Sequence, residues 1–366
     1  MIYRFFLLGL IVFFAASGWA APCTTISAAC TEWITFGNGQ ARSLIYRTYP
    51  LDVKNEDIRA ALVMIHGAGR DADNYFRTTV AAAFLADALD NTLVISPRFA
   101  SNSGGGGGGC NDLLAPNEVN WPCGGNSWRS GGVSTSNKEL NSFDFADEIL
   151  RKLGRKEIFP NLKKIIVAGH SAGGQFVSRY GMANQIHDKL GIAVNYVVSN
   201  PSSYSYLDDT RPKDMAYTIN ARAPGYVPAP SPTGEGEGTV GPGGLPFRPL
   251  RDGRGCTGFD QWPYGLKNRG GYTSKLTDDQ LKSQLVARPV TYLLGEIDIL
   301  PLGGFDGSCA AMAQGPTRLA RGQAFSRYIN EKFGAHHAII IVPLCGHNAR
   351  CVFTSEVALP LIFPSK

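Results

Sequence analysis

One serine lies between two glycines, where an apolar stretch gives way to a helical pattern. Residues 165–168 are apolar and are followed by Gly169-His170-Ser171-Ala172-Gly173-Gly174. A tight strand-to-helix turn needs residues almost without side chains on both sides of such a serine, because the backbone segments approach closely and the serine is strained. The pattern therefore predicts that Ser171 displays its hydroxyl at the carboxyl edge of a sheet, and that a helix begins near Gln175.

A serine hydroxyl is a weak nucleophile at neutral pH. It needs a base, and the base needs an acid that holds its tautomer and stabilises the imidazolium. Both partners must follow strands, so that their side chains meet above the same sheet edge. Asp298 follows one apolar stretch and His347 follows the next. We therefore predict the nucleophile Ser171, the acid Asp298 and the base His347, an order that strand-by-strand construction of such a sheet gives.

Other residues compete for the acid and base roles. Glu296 shares the turn with Asp298 and lies nearer the strand end, so it is the alternative acid. His336 and His337 also follow the acid, but they stand at the start of their strand, at the sheet edge opposite the serine. His347 is therefore preferred as the base.

A second glycine-rich turn follows the apolar residues 60–65. A tetrahedral oxyanion needs backbone N–H donors from two segments. We assign one donor to Ala172, directly after the serine, and the other to Ala68 or Gly69. An ordinary strand-to-helix turn is the alternative for this second segment. Supporting roles are assigned to His66, Gly67 and His170.

The elements that carry these turns alternate between strand and helix. Strands are predicted at 42–49, 60–65, 93–95, 165–168, 193–199, 289–294 and 337–343. Helices are predicted at 74–90, 142–153, from about 175 and at 316–333, with Ser142 as the cap of the second. The short segment 355–362 is expected to help close the structure. Continuous apolar strands are typical of a sheet buried on both faces. The pattern predicts an α/β fold with a mostly parallel central sheet, helices on both faces and long loop insertions.

Two segments have the composition of loops. A glycine-rich loop covers about 100–132 and holds six consecutive glycines at 104–109, with no lysine or helix start after them to make a phosphate cradle. A Pro/Gly-rich insertion covers about 202–288, and its residues 221–260 contain ten Gly and seven Pro. Aromatic side chains in these segments either line a cleft or pack locally; they are Trp121, Trp128, Trp262, Tyr204 and Tyr206.

The first twenty residues have the pattern of a secretory signal peptide. Arg4 precedes an apolar run at 5–16, which is short for a bilayer, and Gly18-Trp19-Ala20 supplies a small-x-small cleavage site. We expect cleavage near Ala21, a single domain over 21–366, a secreted or periplasmic location and no stable membrane insertion afterwards. An uncleaved anchor is the alternative.

All eight cysteines follow the predicted signal peptide. An even number in an exported chain indicates disulfides, and proximity in sequence suggests the pairs Cys23 with Cys30, Cys110 with Cys123, Cys345 with Cys351, and Cys256 with Cys309. Zinc at Cys345, His347 and Cys351 is the alternative for the last loop. We prefer a disulfide that fixes this loop and predict no metal.

Charge patterning argues against a nucleic-acid partner. The formal net charge is +5, and the 35 Lys and Arg form no basic run. The sequence therefore has no stretch of basic residues that could follow the phosphate backbone of a nucleic acid.

These residues together resemble the α/β-hydrolase fold, in particular its secreted esterases, lipases and polyester depolymerases. The resemblance covers roughly 43–363, with about 15 residues in specific motifs. It implies an acyl-enzyme on Ser171, no cofactor, and a small-molecule or polymeric ester as substrate. The loops at 101–110 and 221–256 have no counterpart in a named substrate group, so ester specificity and oligomeric state stay open.

Two further functions are compatible with the same residues. A serine peptidase or amidase would use the same triad. A binding protein of this fold would lack turnover, although the intact set of serine, aspartate and histidine argues against it.

Overall fold

Ten strands occur in the described part of the chain, which comprises residues 21–104, 109–212, 247–250 and 256–363 of a computed structural model. The predicted signal peptide, glycines 105–108 and most of the residues 221–256 lie outside it. The strands are β1 (Thr31–Phe36), β2 (Ala41–Arg47), β3 (Ala60–Ile65), β4 (Thr92–Pro97), β5 (Lys164–His170), β6 (Ala193–Ser199), β7 (Thr210–Pro212), β8 (Phe247–Pro249), β9 (Val290–Gly295) and β10 (Ala338–Val342).

Eight of these strands form one sheet in the order β1-β2-β4-β3-β5-β6-β9-β10. β1 and β2 are antiparallel, β2 is antiparallel to β4, and all further neighbours are parallel. β7 and β8 pair separately. Because parallel strands end at one edge, the turns after β3, β5, β9 and β10 meet there. The predicted mostly parallel sheet is confirmed.

Helices cover both faces of this sheet. They are α1 (Ala72–Leu85), α2 (Ser142–Leu153), α3 (Ala172–Ala183), α4 (Asp278–Ala287), α5 (Cys309–Met312), α6 (Arg318–Phe333), α7 (Ala349–Phe353) and α8 (Leu359–Ile362). Short 3-10 helices occur at Ala28–Cys30, Trp128–Ser130, His187–Lys189 and Gly271–Lys275.

Alternating side chains of the central strands belong to two hydrophobic cores, one on each face of the sheet. Val63 and Val167 pack with residues of α2, α3, α4 and α6 on one face. Leu62 and Ile166 pack with residues of α1, α7 and α8 on the other. The uninterrupted apolar runs therefore reflect burial on both faces.

Several element boundaries differ from the sequence-based expectation. α3 begins at Ala172, not near Gln175, because the serine itself occupies the N-cap position. Asn141, not Ser142, precedes α2 in an extended conformation, and its N–H donates to the Asp144 carboxylate at 2.7 Å. Within the segment 355–362, residues Leu359–Ile362 form α8. The strand β1 and the helices α4 and α7 were not predicted.

The four disulfides follow the pairing that sequence proximity suggested. They join Cys23 to Cys30, Cys110 to Cys123, Cys256 to Cys309 and Cys345 to Cys351. The last pair removes both thiolates that the zinc alternative required. No helix within the described ranges is long and apolar enough to cross a membrane.

A buried carboxylate joins α2 to its neighbours. The oxygens of Asp147 accept hydrogen bonds from the Tyr180 and Tyr272 hydroxyls, each at 2.8 Å, and Arg151 lies 3.6 Å away. Burial raises the pKa of Asp147 to about 6, although both tyrosines and Arg151 act to lower it.

Removing this carboxylate should change how stability depends on pH. Since the pKa is raised on folding, folded Asp147 keeps its proton up to about pH 6 while the unfolded chain loses it near pH 4. Its contribution to stability therefore falls as the pH rises through that window. The difference in free energy of unfolding, Asp147→Asn minus wild type, should therefore rise by about 2 kcal/mol as the pH increases from about 4.5 to 8. Urea unfolding at each pH measures this difference. The exposed Asp279→Asn serves as the control, and a parallel pH dependence for both variants would contradict the expectation.

Candidate active site

Ser171 occupies a strained turn between β5 and α3. Its backbone has φ 58° and ψ −118°, a region that non-glycine residues rarely adopt. Its N–H donates to the Ser199 carbonyl of β6 at 2.9 Å, and its own carbonyl accepts from the Gln175 N–H at 3.0 Å. These bonds hold the strained conformation, which projects the serine side chain at the carboxyl edge of the sheet.

Glycines allow this turn because other backbone lies against them. A Cβ on Gly173 would stand 2.1 Å from the Ile65 carbonyl oxygen, and one on Gly169 would stand 2.4 Å from the Gly173 oxygen. No side chain fits at either distance. The glycines therefore bring the serine turn against the end of β3.

Ser171, His347 and Asp298 form one hydrogen-bonded chain. The His347 Nε2 lies 2.9 Å from the Ser171 Oγ, and the His347 Nδ1 lies 2.8 Å from the Asp298 Oδ2. In the matching tautomer Nδ1–H donates to the carboxylate and Nε2 accepts from the hydroxyl. The structure thus brings together the three residues that the sequence singled out from separate strand ends.

Arg318, which the sequence did not single out, supports Asp298. Its guanidinium lies 3.5 Å from the Asp298 Oδ1, and both side chains are buried. Arg318 also donates to the Ser202 hydroxyl and to the Leu302 and Gly303 carbonyls. Only the tertiary contacts distinguish Arg318 from the other arginines of α6, so the sequence held no usable signal.

The alternative acid, Glu296, has a different place. Its Oε2 accepts a hydrogen bond from the Leu344 N–H at 2.8 Å. Glu296 therefore ties the turn after β9 to the loop that carries His347, while Asp298 contacts the histidine ring itself.

The loop that carries His347 is fixed at three further points. The Cys345–Cys351 disulfide closes it, and the Asn348 side chain caps α7 by accepting from the Cys351 N–H at 3.0 Å. Asn200, after β6, donates to the Gly346 carbonyl at 3.3 Å and accepts from the Gly295 N–H at 2.9 Å. Asn200 was also missed, although an Asn-Pro pair at a strand end was a signal for a special turn.

The turn after β3 lies beside the serine. Ala68 and Gly69 line the same cleft as Ser171, and their N–H groups donate to no described residue. Ala172 is the first residue of α3, where an N–H has no acceptor within the helix. Backbone N–H groups in the turn after β3 and at the start of α3 therefore have no acceptor among the described residues.

Both ring nitrogens of His66 contact backbone groups in or near this turn. Its Nε2 accepts from the Phe99 N–H at 3.1 Å and its Nδ1 lies 2.8 Å from the Gly67 carbonyl oxygen. Burial lowers the pKa of His66 to about 3, and the charges of Arg70 and Arg98 act in the same direction. A neutral His66 therefore positions backbone and carries no extra proton at neutral pH.

His170 packs directly on the histidine of the chain. Its ring centroid lies 4.5 Å from that of His347, and its Nδ1 is 3.3 Å from the Tyr75 hydroxyl. Burial, then the charges of His347 and Arg318, hold the pKa of His170 well below its usual range. The Tyr75 hydroxyl also lies 2.7 Å from the position of a Cβ on Gly67, which explains the glycine there.

The cleft above Ser171 has a volume of about 1030 Å³. Besides the two turns, its walls include the Cys110–Cys123 disulfide and Gly124, from the glycine-rich loop. Gly109 packs so closely that a Cβ there would stand 2.3 Å from the Gly69 carbonyl oxygen. The loop therefore forms a wall of the cleft and packs against the turn after β3.

Most aromatic side chains of the predicted loops do not line this cleft. Trp121, Trp128, Tyr204 and Tyr206 are buried in the core and pack locally. Trp262 is half-buried and donates through Nε1 to the Ser130 carbonyl at 3.0 Å. The aromatic-cleft alternative is therefore wrong, and small and polar residues line most of the cleft.

The two remaining candidate histidines, His336 and His337, directly precede β10 and so lie at the start of that strand. His337 precedes β10, where its ring contacts the Tyr292 hydroxyl at 3.0 Å and the Leu285 carbonyl oxygen at 2.8 Å. Those contacts place it at the amino edge of the sheet.

Comparison with known proteins identifies the family. A model of the alpha/beta hydrolase family matches residues 62–358, so the chain belongs to that family. No curated protein gives a significant match. The sheet with its covering helices is accordingly an α/β-hydrolase fold.

Solved structures share this fold at low sequence identity. The LpqC poly(3-hydroxybutyrate) depolymerase of Bordetella parapertussis is 21% identical, with 90% of this chain and 86% of that chain covered and a TM-score of 0.57. Poly(aspartic acid) hydrolase-1 of Sphingomonas sp. KT-1 is 20% identical, with 91% and 98% covered and a TM-score of 0.54. At these identities the likeness concerns the fold, and family membership supports hydrolase activity in general.

Proposed function

We propose that this protein is an exported serine hydrolase that cleaves carboxylic esters through an acyl-enzyme on Ser171. The observation that carries the proposal is the hydrogen-bonded chain from Ser171 through His347 to Asp298 at the edge of an open cleft. A hydroxyl, an imidazole and a carboxylate in this order form the constellation that activates a serine for acyl transfer.

Acylation would begin with proton transfer from the Ser171 hydroxyl to the His347 Nε2 as the Oγ attacks the ester carbonyl. The oxyanion of the tetrahedral intermediate would accept hydrogen bonds from the Ala172 N–H and from Ala68 or Gly69. The carboxylate paired with the histidine would stabilise the imidazolium. Collapse of the intermediate would then release the alcohol with the proton from His347.

Deacylation would repeat the same steps with water. His347 would remove a proton from a water molecule that attacks the acyl carbonyl, and the same N–H groups would again hold the oxyanion. The acid would leave as Ser171 recovers its proton. His66 would have no direct part in either step, because its ring nitrogens are engaged with backbone groups of Gly67 and Phe99.

Export and domain organisation belong to the same proposal. The signal-peptide pattern of residues 1–20 and the four disulfides support a mature, secreted or periplasmic protein with one domain over 21–366. The mass of protein secreted from the full-length chain should correspond to a start near Ala21.

The test combines turnover with covalent labelling. Protein secreted from the full-length chain is assayed with p-nitrophenyl acetate, butyrate and octanoate, and is treated with a fluorophosphonate. We expect ester hydrolysis and one adduct, located at Ser171 by peptide mapping, with both lost in Ser171→Ala. Folded, disulfide-intact protein that neither turns over nor labels would refute the proposal and favour a binding protein.

An amidase would use the same groups, so an assay against the matching p-nitroanilides accompanies the esters. Faster cleavage of the anilides would replace the ester assignment by the amidase alternative.

A further inference from the structure

Positive side chains dominate the cleft above Ser171. Of its four charged lining residues, Arg77, Arg129 and Arg350 are cationic and only Asp71 is anionic. Arg77 is neutralised in part by Asp73, 3.4 Å away. Arg129 forms no ion pair with any carboxylate in the described ranges.

Not every nitrogen of the Arg129 side chain takes part in a hydrogen bond. Its Nη1 donates to the Gln175 Oε1 at 3.2 Å, while its Nε is buried and has no hydrogen-bond partner among the described residues. Gln175 lies one helical turn after Ser171 in α3. The Arg129 guanidinium therefore lies in the wall of the same cleft that Ser171 lines.

A second guanidinium is connected to the first through hydrogen bonds. Arg179 is fully buried; its Nη2 donates to the Ser203 hydroxyl at 3.0 Å, and its Nε and Nη1 have no partner within the described part of the chain. The same hydroxyl accepts from the Gln175 Nε2 at 2.6 Å, so Gln175 and Ser203 connect the two arginines. Burial lowers the pKa of Arg179 to about 9, which leaves it charged at neutral pH.

The nearby carboxylates do not balance these charges. Asp298 is paired with Arg318 and His347. Asp306 acts on Arg129 and Arg179 at a distance, but its single negative charge also acts on Arg318 and Arg321. Unpaired positive charge away from water is costly, and an anion in the cleft would offset it.

We propose that the cleft takes esters that carry a carboxylate near the scissile bond, and that Arg129 binds this carboxylate. Arg179 is a positioning residue that raises the positive potential behind it. The substrate class comprises monoesters of dicarboxylic acids and esters of hydroxy acids with a free carboxylate. This inference rests on the proposed ester hydrolysis at Ser171.

The test compares charged esters with uncharged isosteres. For a carboxylate in the acyl part, the pair is p-nitrophenyl hydrogen glutarate and p-nitrophenyl 5-methylhexanoate; for the alcohol part, it is 4-acetoxybenzoate and 4-acetoxybenzamide. The buffer rate is subtracted for each. Wild type should prefer at least one anionic ester, and in Arg129→Gln that preference, as a ratio of kcat/KM values, should fall about 10- to 100-fold. In Arg129→Lys this ratio should fall less than in Arg129→Gln, because a lysine keeps the positive charge.

Lys163→Gln is the matched control, because it removes one positive charge at the opposite edge of the sheet, where Lys163 is exposed. Its ratio should equal that of wild type. A ratio of kcat/KM values does not depend on the amount of folded enzyme, so partial misfolding of a variant cannot imitate the result. A preference unchanged by Arg129→Gln, or absent from wild type that cleaves the neutral esters, would overturn the inference and leave the ester hydrolase intact.

A binding measurement separates this inference from the chemistry. Monomethyl glutarate and 4-hydroxybenzoate are titrated calorimetrically into Ser171→Ala and into Ser171→Ala combined with Arg129→Gln. Weaker binding to the double variant supports the carboxylate site even if no ester is turned over. Equal binding to both, or none to either, counts against it.

Discussion

Asp298→Asn should lower kcat for ester hydrolysis by about 10³- to 10⁴-fold. The carboxylate accepts from the His347 Nδ1–H at 2.8 Å and thereby leaves Nε2 free to accept the serine proton. An amide can stabilise the opposite tautomer and brings no negative charge to the imidazolium. The measurement is kcat with p-nitrophenyl butyrate, and thermal unfolding is recorded because Arg318 loses its buried ion-pair partner.

Glu296→Gln is the matched control for this prediction. The amide oxygen can still accept from the Leu344 N–H, so the loop keeps its tie and kcat should stay within about 3-fold of wild type. If Glu296→Gln lost activity while Asp298→Asn kept it, the acid would have been assigned to the wrong carboxylate.

The sequence predicted those parts of the site that depend on local rules. Continuous apolar runs indicated the parallel strands, and polar or glycine-rich turns after them indicated the positions of Ser171, Asp298 and His347. Parallel strands end at one edge, so residues after separate strands could be placed together without any knowledge of distances. The disulfides followed because three predicted pairs close short loops and the fourth joins the two cysteines that remain.

Elements with weak local patterns were missed. β1 lies at the sheet edge, where Glu32 and Trp33 remain partly exposed, and so its sequence has no continuous apolar run. α4 buries only Leu281 and Leu285, and its signal was the capping pair of Thr277 and Gln280 within a segment judged by its Pro and Gly content. Because the whole segment was interpreted from its Pro and Gly content, the short helix α4 was not recognised.

Buried arginines could not be predicted at all. Arg179 and Arg318 are fully buried, although residues of this type are almost always at the surface. Their surroundings come from α3, α6 and the loop after β6, which are remote in sequence. The charge of the cleft is therefore a tertiary property, whereas the order of the serine, acid and base is a property of the chain.

Gly173→Ala should reduce the free energy of unfolding by about 3 kcal/mol or more. The new Cβ would stand 2.1 Å from the Ile65 oxygen and 2.7 Å from the His66 oxygen, and backbone cannot move aside as a flexible side chain can. Urea unfolding by circular dichroism measures the loss. Gly181→Ala, in the same helix, is the control, because its nearest neighbour is the Tyr196 ring at 3.2 Å. Its stability should stay within about 1 kcal/mol of wild type, since alanine favours the helix.

The same substitution should also lower the activity of the molecules that do fold. Gly173 sets the separation between the serine turn and the end of β3, which leads into Ala68 and Gly69. Moving α3 outward would displace the Ala172 N–H from the opposing donors, and misplaced oxyanion donors cost about 10²-fold or more in kcat. Activity is therefore expressed per folded molecule at low temperature. Equal midpoints and equal specific activities for Gly173→Ala and Gly181→Ala would show that this close approach does not position the site.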